Sequence, residues 1–280
     1  MPFEKAQTAI SVLEAWGYKV RIGSTLGTQK NYFSGTDQER LNDLQQMMDD
    51  DSVNAVLCAR GGYGLGRIID NISFKKFKKN PKWIIGFSDI TILQSHLYAN
   101  YKIASLHAPM AAAFNEEGDK NEFIQSLKKA LTGEKGNYKC AAHAFNKNGS
   151  TTATLMGGNL SLLAHLIGTV SDTSTKNKIL FIEDVGEYIY NIDRMMYQLE
   201  RSGKLENLAG LIVGGFTEMK DTTVPFGQTA EESIKDILKK YNYPVCFGFP
   251  VGHIKENYAL KIGLKYELNV GGRIVELKEV

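Results

Sequence analysis

Five short stretches carry side chains that could do chemistry. The sharpest is Gly86-Phe87-Ser88-Asp89, where the apolar run Trp83–Phe87 ends in a serine and a helical pattern starts at Ile90. A strand–turn–helix of this kind lifts the Ser88 hydroxyl to the carboxyl edge of a sheet. It also aims the next backbone N–H groups at the helix N-terminus, where they can stabilise a developing oxyanion. The hydrolase elbow G-x-S-x-G would need a second glycine where this chain has Ile90. A plain reading stands beside the catalytic one, because Ser and Asp are also favoured helix N-caps.

The second stretch is the glycine-rich loop Gly61–Gly66, which follows the apolar run Val53–Ala59. It fails the dinucleotide pattern G-x-G-x-x-G: from Gly62 and Gly64 the third position is Arg67, and from Gly64 and Gly66 it is Ile69. It fails the P-loop pattern because Gly66 is followed by Arg67-Ile68. What survives is either a tight turn or a loop whose bare N–H groups approach an anion. The third stretch places Glu183, Asp184 and Glu187 at and after the apolar run Lys178–Ile182. The fourth places Gly252-His253 after Val245–Phe249, and the fifth is Gly157-Gly158-Asn159, leading into a helix. Each alone reads as well as a solvated acid, a structural histidine or an N-cap. Together they set a serine, an acid and a histidine near the carboxyl ends of predicted parallel strands, where open α/β sheets hold their sites. That is the inventory of a nucleophilic hydrolase. His96, on the helix after Ser88, His107, between Leu106 and Ala108-Pro109-Met110, and His165, in an apolar helix, fit less well and read as packing or hydrogen-bonding residues.

The elements that would position these residues follow from periodicity. Phe3, Ala6, Ile10, Leu13 and Trp16 form a helical stripe that Gly17 can end. Tyr18–Ile22 reads as a short strand, Asp37–Met48 as a helix, Val53–Ala59 as a strand and Arg67–Ile72 as a helix. Trp83–Phe87 is a buried strand and Ile90–Asn100 a helix. Further on, helices are expected over Asn159–Ile167, Ile192–Ser202 and Glu231–Tyr241, with strands over Lys178–Ile182, Leu208–Gly214 and Val245–Phe249. The alternation argues for parallel βαβ units. Leu264–Val270 and Arg273–Lys278 flank Gly271-Gly272 and read as a β-hairpin. The fold class expected is α/β in two domains: an N-terminal parallel-sheet domain carrying a nucleophile elbow over 1–140, a linker over 141–155, and a strand-rich C-terminal domain over 156–280 carrying Glu183 and His253.

Composition removes several function classes. The 280 residues are 43% hydrophobic and 23% charged, and 33 basic against 31 acidic side chains leave a net charge of +2. This balance gives no reason to expect a nucleic-acid groove or an anionic membrane surface as partner. No apolar run approaches the roughly 18 residues of a membrane span, and the N-terminus has no signal-peptide pattern. Cys58, Cys140 and Cys246 are an odd set with no CxxC spacing, which suits thiols in a reducing compartment. No cysteine and histidine cluster has metal-ligand spacing, so no metal is expected.

Taken in order, Cys58-Ala59-Arg60-Gly61-Gly62-Tyr63-Gly64, Gly86-Phe87-Ser88-Asp89-Ile90-Thr91, Gly157-Gly158-Asn159-Leu160, Ile182-Glu183-Asp184-Val185-Gly186-Glu187 and Gly252-His253 closely resemble the motifs of the LD-carboxypeptidases, the muramoyltetrapeptide carboxypeptidase family of serine peptidases. The likeness covers nearly the whole chain. It implies a Ser-Glu-His triad split over two domains, with Ser88 as nucleophile, His253 as base and Glu183 as the acid that orients it. The family's oxyanion hole maps onto the N–H groups of Asp89 and, in the Arg60–Gly64 loop, Gly62. The implied reaction is release of the terminal D-Ala from murein tetrapeptides, in the cytoplasm, by a homodimer without cofactor. Because a carboxypeptidase must recognise a free terminus, Arg60 is a candidate for the substrate carboxylate, the alternative being a pair with a protein acid. Asn159 is a candidate substrate contact. The same triad in related proteins serves microcin C-type immunity by cleaving aminoacyl-nucleotides, which is the alternative substrate class. A further alternative is a homologue that keeps the cleft without turnover. Two departures stand out. The family usually has a strand and turn before the helix that opens this chain, so a sheet edge is expected to lie uncovered. The family also often has a proline before the Ile-Gly pair, where this chain reads Ala259-Leu260-Lys261-Ile262-Gly263.

Overall fold

The computed structural model describes residues 1–280. A short 3₁₀ turn, Phe3–Ala6, buries Ala6 and leads into α1 (Gln7–Ala15), which buries Ala9; Gly17 then leaves the helix at φ +90°. Next come α2 (Asp37–Asp49), β1 (Ala55–Leu57), β2 (Trp83–Gly86), α3 (Thr91–Tyr101), β3 (Ser105–His107) and α4 (Glu122–Leu131). Thr36 starts α2 through a capping box with Glu39, which satisfies two of the N–H groups a helix start leaves open. β1 pairs with β2 and β2 with β3, all parallel.

The second half holds β4 (Asn137–Ala141), β5 (Gly149–Asn159), α5 (Leu160–Leu166), β6 (Lys178–Val185), α6 (Ile189–Arg201), β7 (Gly210–Thr217), α7 (Ala230–Leu238), β8 (Val245–Phe247), β9 (Leu260–Ile262), β10 (Lys265–Val270) and β11 (Ile274–Glu279). Seven of these strands form one sheet in the order β4-β11-β10-β5-β6-β7-β8. β5 to β8 are parallel, and β10 joins them antiparallel, with β11 and β4 beyond it. The remaining strand, β9, crosses to the other sheet and pairs antiparallel with β3, so the N-terminal sheet runs β1-β2-β3-β9. The two-domain α/β architecture expected from the sequence is present, but the second half of the chain supplies one edge of the first sheet.

Several local expectations need correction. Tyr18–Ile22 is not a strand: it has no laddered neighbour, and nothing pairs with the outer edge of β1. Arg67–Ile72 is not an α-helix but part of two short 3₁₀ turns, Leu65–Arg67 and Ile69–Asn71. The stretch 141–155, expected as a linker, contains the first half of β5, and Lys147 is laddered to Val245. Its small polar residues form the part of this interior strand that pairs with β10, and alternate side chains there, such as Ser150 and Thr152, face water. Finally, Glu183 and Asp184 lie inside β6, not beyond it. A register shift between Ile182 and Asp184 against β7 marks a bulge there, the kind of irregularity that re-aims a side chain.

Candidate active site

β2 ends in a constrained turn. Ser88 has φ +64°, a left-handed conformation uncommon for a residue with a side chain, of the kind that clusters at functional sites. Gly86 allows it: a Cβ there would stand 2.9 Å from Ile90 Cγ1. Ile90 therefore folds back onto Gly86, which is why this elbow works without a second glycine. Ser88 is half-buried, and a 3₁₀ turn over Ser88–Ile90 leads directly into α3. The Gly-rich loop lies against it, since a Cβ on Gly61 would fall 2.7 Å from Ser88 Cβ and 3.0 Å from its Oγ. The N–H groups of Gly62 and Asp89 donate no hydrogen bond within the protein, and Gly62 sits exposed at φ +105°. Asp89 itself is buried, and its carboxylate accepts from Leu65 N–H at 2.8 Å. Burial pushes its pKa up.

The acid and the histidine meet. Glu183 is fully buried, and its Oε2 lies 2.6 Å from His253 Nδ1 and 3.2 Å from the His253 backbone N–H. A carboxylate can only accept, so Nδ1 carries a proton and donates it to Oε2, and Nε2 is the ring nitrogen without a partner in the protein. The approach needs Gly252, at φ +108°, because a Cβ there would stand 2.6 Å from Glu183. It is held by Gly252 N–H donating to Asn257 Oδ1 (3.0 Å) and Thr217 Oγ1 donating to the His253 carbonyl (3.0 Å).

The contact between this pair and the serine turn runs through Phe87. Its ring meets the His253 imidazole edge-on, with centroids 4.8 Å apart. Ser88 Oγ makes no hydrogen bond to His253 in this structure, so the two residues are neighbours through Phe87 and the proton path between them is not closed. On its other side Phe87 packs against His107 at 5.6 Å, and His107 against Phe181 at 4.9 Å. Phe181 lies two residues before Glu183 on β6, so a train of four rings links the acid's strand to its histidine through the residue before the serine. His107 is fully buried with neither ring nitrogen hydrogen-bonded, and burial lowers its pKa to about 3. Nothing in the sequence pattern announces this train, because its rings lie on four separate stretches of the chain and the strand ending at His107 is only three residues long.

The other candidates divide. Arg60 is exposed, pairs with no acid, and directly precedes Gly61, which lies against the Ser88 turn. Asn159 is buried and internally occupied. Its Oδ1 accepts from Leu162 N–H (3.3 Å) and Ser161 Oγ–H (2.7 Å), and its Nδ2 donates to Asp184 Oδ1 at 2.8 Å. Its backbone N–H donates to Thr91 Oγ1 at 3.1 Å, tying the end of β5 to the first turn of α3. This is the N-cap reading of Asn159. Asp184, which the sequence left in second place behind Glu183, is the acceptor at the centre of that network, taking Ser161 N–H (2.9 Å) and Val185 N–H (2.9 Å) as well. Burial, opposed by these donors and aided by neighbouring Glu183, raises its pKa to about 6. Of the remaining histidines, His96 bonds Ser171 Oγ through Nδ1 at 2.9 Å. No three His, Cys, Asp or Glu side chains come together in a metal-binding arrangement.

The chain resembles known proteins along most of its length. Residues 1–108 match the model of the LD-carboxypeptidase N-terminal domain, and residues 152–268 that of the LD-carboxypeptidase C-terminal domain. The chain is 36% identical over 269 residues to a probable murein peptide carboxypeptidase of Bacillus subtilis, covering 95% of this chain and 84% of that one. It is 27% identical over 267 residues to the murein tetrapeptide carboxypeptidase of Pseudomonas aeruginosa, covering 92% and 86%. Among solved structures, a muramoyltetrapeptide carboxypeptidase from Oxalobacter formigenes superposes with a TM-score of 0.88 at 28% identity, covering 100% of this chain and 95% of that one. The microcin C7 self-immunity protein bound to adenosine monophosphate superposes with a TM-score of 0.87 at 21% identity, covering 99% and 91%, a likeness of fold.

Proposed function

The chain belongs to the LD-carboxypeptidase family, and we propose that it is a serine carboxypeptidase releasing the terminal D-Ala from murein tetrapeptides. Ser88 Oγ attacks the scissile carbonyl, and His253 Nε2 takes its proton. Glu183 holds the imidazole in the required tautomer and stabilises the imidazolium that forms. The free N–H groups of Asp89 and Gly62 receive the oxyanion. His253 then returns the proton to the leaving D-Ala amine, and a water molecule, activated the same way, hydrolyses the acyl-enzyme. The exposed Arg60 guanidinium recognises the terminal carboxylate, which distinguishes a carboxypeptidase from an endopeptidase. The observation that carries this reading is the position of His253, bonded to Glu183 on one side and packed on Phe87, the residue before Ser88, on the other.

The relatives named for murein peptides favour that substrate over an aminoacyl-nucleotide, for which the support is a likeness of fold alone. We place the reaction in the cytoplasm, in a homodimer, as the family resemblance implies. Three free cysteines accord with a reducing compartment, and no helix is long and apolar enough to cross a membrane. The test is D-Ala release from a murein tetrapeptide, run beside hydrolysis of an aminoacyl sulfamoyl adenosine. Ser88→Ala should abolish the first with an unchanged circular dichroism spectrum. Turnover surviving in Ser88→Ala, or turnover of the nucleotide substrate alone, overturns the assignment.

A further inference from the structure

The Gly-rich loop has almost no scaffold of its own. From Ala59 to Gly64 no backbone N–H donates a hydrogen bond, and the loop turns at two positive-φ glycines, Gly62 (+105°) and Gly64 (+133°). A free loop of this composition would sample many conformations, since glycine loses the most entropy on being fixed. Yet Gly61 is held in contact with Ser88. Two side chains do the holding. On one side the buried Asp89 carboxylate accepts the Leu65 N–H at 2.8 Å. On the other, Arg40 Nη1 donates to the Gly64 carbonyl at 3.0 Å. The Arg40 side chain is itself fixed, only 12% exposed, paired with Asp37 at 2.5 Å and stacked 5.1 Å over the Phe33 ring. The two bonds fall on consecutive residues, Gly64 and Leu65, at the exit of the loop.

We propose that the Asp89 carboxylate and the Arg40 guanidinium are positioning residues that lock the loop's free N–H groups against the Ser88 turn, so that one dipeptide, Ser88-Asp89, supplies the nucleophile, one oxyanion donor and the anchor of the other. The inference rests on the proposed serine chemistry and extends it to side chains that touch no substrate. Preorganised donors stabilise charge only if they are held before it develops, and a donor lost or displaced costs on the order of 10²-fold or more. Anchoring through Asp89 makes the spacing between the two N–H donors independent of motion between the domains.

The experiment compares Asp89→Leu, Asp89→Asn and Arg40→Met with the native chain. It measures the second-order rate of Ser88 modification by a fluorophosphonate, then kcat and KM for D-Ala release. In Asp89→Leu and Arg40→Met both the labelling rate and kcat should fall roughly 10- to 100-fold while KM stays within about threefold, because the loss is confined to the transition state. Asp89→Asn keeps an oxygen for Leu65 N–H and should recover most of what Asp89→Leu loses. Folded Asp89→Leu and Arg40→Met proteins that label as fast as the native chain overturn the inference. So does an Asp89→Asn protein as slow as Asp89→Leu, or loss of folding in both Asp89→Leu and Arg40→Met, which makes the two residues structural. A native chain that does not label at Ser88 brings down the nucleophile reading itself, whereas a native chain that labels while its variants keep pace brings down only this inference.

Discussion

Glu183 Oε2 accepts both the side-chain and the backbone N–H of His253, at 2.6 and 3.2 Å, so one carboxylate oxygen fixes the position and the rotation of the imidazole together. The other oxygen, Oε1, is buried without a partner. The carboxylate's charge is therefore directed at His253 and little else, and Glu183 itself is fully shielded from solvent. Glu183→Gln keeps an oxygen for these contacts but removes the charge that, in the proposed mechanism, stabilises the imidazolium. It should lower kcat by roughly 10²- to 10⁴-fold with KM nearly unchanged. Steady-state kinetics on the tetrapeptide check this, and a kcat within threefold of the native value would take Glu183 out of the proton relay.

Two glycines make the site possible for steric reasons, and their replacement separates packing from conformation. Gly61 is not at positive φ, so the effect of Gly61→Ala is set mainly by what a methyl group 2.7 Å from Ser88 Cβ and 3.2 Å from the Phe87 carbonyl must displace. Activity should drop at least about 100-fold through displacement of the serine turn, with a small change in melting temperature. Gly252→Ala adds a left-handed φ to a clash with Glu183 at 2.6 Å. It should destabilise the fold by about 2 kcal/mol or more as well as abolish turnover. Thermal melts alongside D-Ala release distinguish the two outcomes, and equal behaviour of the two variants would contradict the distinction.

How far the sequence reaches is clearest at these same residues. Ser88, Glu183 and His253 stand out in the sequence as candidates because each follows a compact apolar run, which is a local property, although Glu183 proves to lie within β6. The bulge that buries Glu183 and Asp184 side by side was not legible. It depends on Gly214 and Gly215 letting Val251 and Ile254 approach from another element, with a Cβ on either glycine falling within 2.6 Å of them. β9 is hard to read from sequence for a similar reason. Leu260-Lys261-Ile262 is three residues long, and its partner β3 is itself only three residues, so neither offers a periodicity to read. Tyr18–Ile22 failed in the opposite direction: it has strand composition, but a strand needs a neighbour as well as propensity.

Asp184 makes stability depend on pH in a defined direction. Its pKa rises from 3.8 to about 6 in the fold, chiefly through burial. The folded state therefore binds this proton more tightly than the unfolded chain, and the group's contribution to stability falls as pH rises from about 4 to about 6, then stays flat. The difference between pH 4.5 and pH 7.5 is about 2 kcal/mol for this one group. Asp184→Asn cannot titrate, so the urea-unfolding free energy of the native chain minus that of the variant should be larger at pH 4.5 than at pH 7.5 by about that amount. A difference that is constant, or of opposite sign, would mean that the donors from Asn159, Ser161 and Val185 outweigh burial and keep the carboxylate ionised.

The two sheets are joined by a buried ion pair, and breaking it in two ways tests what it contributes. Lys261 Nζ lies 3.1 and 3.0 Å from the two oxygens of Glu279 and donates to the Glu134 carbonyl at 2.8 Å, with side chains only 6% and 8% exposed. Glu279 Oε2 also accepts the Gly136 N–H at 2.9 Å, so the pair fastens β9 of the first sheet to the outer edge of the second. Lys261→Met strands a buried carboxylate and should cost roughly 3–5 kcal/mol in unfolding free energy. Adding Glu279→Leu removes the stranded charge and should restore most of that loss. A residual deficit of about 1 kcal/mol should remain for the Gly136 N–H left without an acceptor. Urea denaturation of the single and double variants decides the point: a double variant no more stable than Lys261→Met would mean that attraction between the two charges, not the cost of leaving one alone, holds β9 in the first sheet.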